Sequence, residues 1–207
     1  MAGLLIGTDS SSYSTITGTE TLTNKTLASS TTFPTGVVIQ SKMTRATTKA
    51  VLSTNSTPVE VSSDLRLTIT PKFANSMLKM SWVLSGEGAH TNSYVWRVGK
   101  DGTTSSAVSG YEPHLESGIW SGIYIGSHKS ETNDDSTPNT EGPFLFYVPA
   151  ENLTERYYTL TFATGNSGSY TYYVGRTIGG TGSSDHENAI ALGFIEEIAG
   201  PYGDINL

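Results

Sequence analysis

Chemistry needs titratable or nucleophilic groups at workable spacing. The four histidines, His90, His114, His128 and His186, are scattered along the chain. A metal held by one element asks for an H-x-H or H-x-x-x-H pair. No such pair exists, so the histidines read as loop residues, and no metal or other cofactor is assigned. An ion on the axis of a trimer would need one ligand per chain, and that alternative stays open. Asp134 and Asp135 sit in Ser130-Glu131-Thr132-Asn133-Asp134-Asp135-Ser136. That run lacks the glycine and terminal glutamate of a calcium loop and reads as a solvated acidic segment. There is no cysteine, hence no thiolate nucleophile and no disulfide. Neither a Gly-x-Ser-x-Gly elbow nor a phosphate-cradling glycine loop is present. The 19 acidic residues show no spacing that pairs two carboxylates for glycoside cleavage. The chain therefore reads as a non-enzyme.

Aromatic residues offer the better binding argument. In Ile119–Ile125 the odd positions Ile119, Ile123 and Ile125 form an apolar face, which turns Trp120 and Tyr124 outward. An outward Trp–Tyr pair serves as a stacking platform for a sugar or as an anchor between subunits. The segment Gly126–Pro143 follows, read as a long loop without strand character, and loops of that length often carry function. With Trp120 and Tyr124, its residues His128, Asp134 and Asp135 are the candidate receptor-binding tip. The alternative is a plain surface loop.

The elements that position these residues are strands. The chain has 207 residues, a net charge of −7, 15% charged residues and 22 glycines. Sparse lysine and arginine give no footprint for phosphate backbones, so nucleic acid is not an expected partner. No run approaches the ~20 apolar residues of a membrane span. The start, Met1 to Ser14, lacks the basic region of a secretory signal. From Thr8 to Thr32, 15 of 25 residues are Ser or Thr. So little apolar surface does not offset a backbone-ordering cost of ~1–2 kcal/mol per residue. A β-prone segment of this kind is expected to order against sister chains rather than alone. After the turn signal Phe33-Pro34-Thr35-Gly36, strand patterns recur: Leu65–Thr70, Leu78–Leu84 with even positions apolar, Tyr94–Val98 before a Gly99–Gly102 turn, Tyr157–Ala163, Tyr170–Val174 and Ala189–Ile198. The expected fold is all-β: an extended segment over 1–36 and an antiparallel β-sandwich, jelly-roll-like head over 37–207.

Two strands carry a further signal. Phe144-Leu145-Phe146-Tyr147-Val148 is apolar on both faces. In the last strand, small residues Ala189, Ala191 and Gly193 lie opposite the apolar Ile190, Leu192 and Phe194, leaving room for another layer. Both fit a domain that packs on copies of itself, or a two-sided core within one chain.

Gly18-Thr19-Glu20-Thr21-Leu22-Thr23-Asn24-Lys25-Thr26-Leu27 resembles the GTxTLTNKTL segment of tailed-bacteriophage fibre and virion proteins, notably of marine and cyanobacterial phages. Thr70-Pro71-Lys72 with Asn75-Ser76, then Arg97 to Thr103, then Ile190–Ile198, resemble in turn the ITPxxxxSKIL stretch, the R-DGT hairpin and the LxLxEI ending of a small β-domain in phage tail fibres. Met77 departs from the usual lysine, and the Arg–Asp spacing is interrupted. The resemblance implies a homotrimeric virion fibre. Leu22 and Leu27 would face the threefold axis, and Leu4, Leu5 and Ile6 would dock on other virion proteins. The expected role is host attachment, through a surface glycan or protein, with avidity from repeated weak sites. The expected location is the virion, assembled in the host cytoplasm. The alternative is a purely structural virion component: a head fibre, capsid decoration or tail connector. A small polysaccharide depolymerase is a distant third.

Overall fold

Period-two alternation without a helical stripe dictates sheets, and the computed structural model is all-β, with one short 3-10 turn, Ser63–Leu65, among the described residues. It describes residues 5–6, 14–15, 33–46, 48–88, 92–102, 124–128, 139–164, 168–178 and 190–200. The chain forms two compact units, Met1–Thr32 and Phe33–Leu207. In the first, β1 (Leu5–Ile6) pairs antiparallel with β2 (Ser14–Thr15). Leu4, Leu22 and Leu27 lie outside the described residues.

The second unit is a sandwich of two antiparallel sheets. Its strands are β3 (Val38–Arg45), β4 (Ala50–Thr54), β5 (Val59–Glu60), β6 (Leu67–Ile69), β7 (Met77–Gly88), β8 (Asn92–Lys100), β9 (Tyr124–His128), β10 (Asn139–Pro149), β11 (Arg156–Thr164), β12 (Tyr170–Val174) and β13 (Leu192–Ile198). In the first sheet β10 runs along one edge of β7. On the other edge β13 pairs with the first half of β7 and β12 with its end; β3 lies outside β13 and β4 outside β12. In the second sheet β11 has β5 and β6 on one edge and β8, then β9, on the other. With β5 and β6 counted as one interrupted strand, and the β4–β12 ribbon set aside, the strand order is 1-8-3-6 over 2-7-4-5. That is the connectivity of a jelly roll.

The core follows from the alternation. Leu78, Met80, Trp82 and Leu84 of β7 and Phe144, Phe146 and Val148 of β10 face Trp96 and Val98 of β8 and Leu160 and Phe162 of β11. Rings bridge the two sheets: Trp96 lies 5.0 Å from Phe144 and 5.3 Å from Tyr172. Contacts of this kind add ~0.5–1.5 kcal/mol each beyond burial. Farther along β7 the inward position is Gly88, where a Cβ would fall 2.6 Å from Tyr94 Cε2. Glycine there makes room for a ring that spans the sandwich. One seam is polar instead. The inward side chains of β3 reach across to β6: Gln40 Nε2 donates to Thr70 O at 2.9 Å and Lys42 Nζ to Thr68 O at 3.0 Å. These bonds satisfy carbonyls at a sheet edge that would otherwise template pairing.

Two expectations need correction. Gly126–Pro143 is not one strandless loop, because 126–128 belong to β9 and 139–143 to β10. Asn139 opposes Gly86 and Glu141 opposes Leu84, with a bulge between Glu141 and Phe144, so a turn-like composition is held extended by the long β7. The last strand is also reversed. Its small residues face the protein's own core: Ala191 is buried, and a Cβ at Gly193 would lie 3.0 Å from Trp82 Cδ1. The layer that needs this room is the Trp82 ring. Leu192 and Phe194 point outward and are half-buried.

Candidate functional site

Among the described residues several buried polar groups hold loops in place. Glu197 of β13 has no solvent exposure. Its Oε1 accepts from Phe73 N at 2.9 Å, Lys72 N at 2.9 Å and Ser76 Oγ at 2.6 Å; Oε2 accepts from Lys72 N at 2.9 Å and Gln40 Nε2 at 2.6 Å. A buried carboxylate is tolerated when its lone pairs are filled in this way. The loop from Thr70 to Ser76 has too few partners of its own, and Glu197 supplies them. Two of the motifs picked out in the sequence, the Thr70–Ser76 stretch and the Glu196-Glu197-Ile198 ending, are thus one physical unit.

A second cluster lies on the second sheet. Arg66 makes a bidentate pair with Glu60 at 2.7 and 2.8 Å and stacks over the Tyr157 ring at 4.6 Å; Thr159 Oγ1 donates to the same carboxylate at 3.0 Å. The Arg66 guanidinium holds the Glu60 carboxyl below its ordinary range, against the opposing effect of partial burial. The arginine is in turn pushed up by that carboxylate. Nearby, Arg156 donates to Asn152 O at 2.8 Å and Thr154 O at 3.1 Å, closing its own loop. Burial pushes the Tyr158 hydroxyl up to about 12, with Arg156 acting in the opposite direction.

The third feature is the outward face of the first sheet. Cross-strand partners share a face, and the register sets rows Met43–Phe194–Ser81–Leu145, Arg45–Leu192–Val83 and Ser41–Glu196–Lys79–Tyr147 side by side. Met43 is 61% exposed and Val38, opposite Ile198, is 48% exposed. Leu192, Phe194, Ile198, Val83, Leu145 and Tyr147 are half-buried. Lys79 and Glu196 pair at 3.1 Å in their midst.

The candidate receptor residues are not brought together in what is described. Trp120, Asp134 and Asp135 lie outside the described residues. His128 is in β9, its backbone opposite Asn92. The register sets Tyr124 opposite Trp96 and Ile125 opposite Val95. Leu5 and Ile6 are extended and paired within the first unit. No group of three or more His, Asp or Glu side chains within reach of one metal ion occurs among the described residues. Among the described residues no helix is long and apolar enough to cross a membrane. The Glu197 latch was missed in the sequence because a carboxylate in an alternating strand reads as solvent-facing. No family model matches the sequence, and no curated protein matches it.

Proposed function

We propose that this chain is a non-enzymatic virion fibre of a tailed bacteriophage, a homotrimer that joins other virion proteins through its N-terminal segment and carries a jelly-roll head toward the host surface. The observation that carries this reading is the Glu197 latch. The sequence elements that resemble phage-fibre domains are far apart in the chain, yet the carboxylate of one is bonded to the backbone of the other. That joins them as parts of one domain and supports the resemblance as one of fold. The all-β sandwich suits a particle surface. Host contact would gain strength from several heads acting together.

The test is antibody against the head applied to intact particles, with purified protein added as a competitor of adsorption. Labelled appendages and slowed adsorption are the expected result. Labelling without competition would favour the purely structural component. Release of new reducing ends from host polysaccharide would make the protein an enzyme.

A further inference from the structure

We infer that the copies of this chain meet through the outward face of β3, β13, β7 and β10. This inference rests on the proposed self-assembly and names its surface. A sandwich sheet that faces water normally alternates core with polar residues. This one is apolar outside as well: Met43, Phe194 and Leu145 lie in one row, Leu192 and Val83 in the next, with Val38 and Ile198 at one end. Of the six exposed large apolar side chains among the described residues, Val37, Val38, Met43 and Ile190 border this face along β3 and the entry to β13.

Two observations point to another copy as the occupant. The first is charge. Lys79 and Glu196 neutralise each other, and Arg45 at the margin leaves the face about one charge positive in a chain of net −7. The acidic excess of the chain lies off this face, so copies meeting here bring only the marginal Arg45 as a like charge, and each Lys79–Glu196 pair offers a neighbour both signs. The second is where the chain enters the head. Gly36 N donates to Ala199 O at 2.8 Å and Ala199 N to Val37 O at 2.8 Å, which fixes the entry at the Val38–Ile198 end of this face. Chains joined through residues 1–32 are tethered at that corner. The adjoining face is then presented to its neighbours at high effective concentration.

The test is light scattering with size exclusion on wild type, Phe194→Glu and Met43→Glu, with near-ultraviolet circular dichroism to report the fold. Wild type is expected as three chains per particle. Each variant is expected to keep its aromatic signal and to dissociate at a concentration at least tenfold higher. Met43 is the safeguard, because its exposure leaves the core untouched when it is changed. A wild-type protein that is a single chain at tens of micromolar would overturn the proposed assembly and this inference with it. A wild-type trimer whose folded Met43→Glu variant dissociates at an unchanged concentration would overturn the inference alone. The same trimer with impaired adsorption in that variant would also overturn it, assigning the face to an outside partner.

Discussion

Replacing Glu197 by glutamine tests the latch with almost no change of shape. The carboxylate serves four donors: Lys72 N–H, Phe73 N–H, the Ser76 hydroxyl and the Gln40 amide. A glutamine oxygen at the Oε1 position keeps the first three, but as neutral bonds. Bonds to charged groups are worth ~1.5–3 kcal/mol and neutral ones ~0.5–1.5, so three weakened bonds cost about 3 kcal/mol. The new amide then faces Gln40 Nε2, donor against donor. Turning the Gln40 amide over relieves that clash only by losing its bond to Thr70 O. This adds ~1–3 kcal/mol. Relief from burying a charge returns part of the sum. The expected net loss is about 2–4 kcal/mol, and at ~2–4 °C per kcal/mol the melting midpoint falls by roughly 5–15 °C. Calorimetry measures the total, and hydrogen exchange at the Lys72 and Phe73 amides locates it. A variant that melts within ~1 °C of wild type, with both amides still protected, would refute the claim that this carboxylate holds the loop.

Gly193→Ala pushes a methyl group against Trp82, whose indole is fixed by its bond to Leu65 O at 3.0 Å. Overpacking costs ~1–3 kcal/mol, to be read in denaturant melts beside a shifted tryptophan emission. Tyr158→Phe removes a buried hydroxyl that has no hydrogen-bond partner among the described residues, so neutral-pH stability should change by less than ~1 kcal/mol. The folded hydroxyl keeps its proton up to about 12, whereas the unfolded one releases it near 10. Wild type should therefore lose stability between those values, and the variant should lose less in an alkaline denaturation series. For Glu60 the sign is opposite. Its folded pKa lies below the unfolded one, so its pair with Arg66 contributes above the ordinary carboxylate range and fades as pH falls through the folded value. Because both groups are partly exposed, Glu60→Gln should cost no more than ~1 kcal/mol near neutrality and nothing at strongly acid pH, as chemical denaturation at the two extremes will report.

The strands legible in the sequence are those with one polar and one apolar face. The even positions of β7 lie in the core as their alternation predicts, and Tyr170–Val174 is a strand over its whole length. Alternation did not fix direction where both faces are apolar. In β13 the larger Leu192 and Phe194 suggested the core, yet the space beneath position 193 is filled by Trp82, so only a glycine fits there without a shift. β3 gave no clear signal because its inward positions, Gln40, Lys42 and Thr44, are polar, and the partners of Gln40 and Lys42 are carbonyls and a carboxylate from distant segments. Turn chemistry misled at Asn139–Pro143, where pairing with β7 overrides local propensity. Of the candidate site, the motif residues around Thr70–Ser76 and Glu197 were visible as a likeness. That they bond to one another depends on which strands become neighbours, and no local pattern encodes it.

The position of β13 bears on how this protein is made. The strand lies between β3 and β7, and the bond from Gln40 to Glu197 spans 157 positions. A ribosome adding ~5–20 residues per second leaves β3 waiting roughly 8–30 s for its neighbour. During that time the sheet has a gap, and the facing edges of β3 and β7 are open to wrong partners. Closure comes only when the final strand slides in and its glutamate captures the Thr70–Ser76 loop, so the domain folds after synthesis of nearly its whole length. The polar side chains of β3 have a use during that wait, since Gln40 and Lys42 keep an early, unpaired strand hydrated until the place beside it is filled.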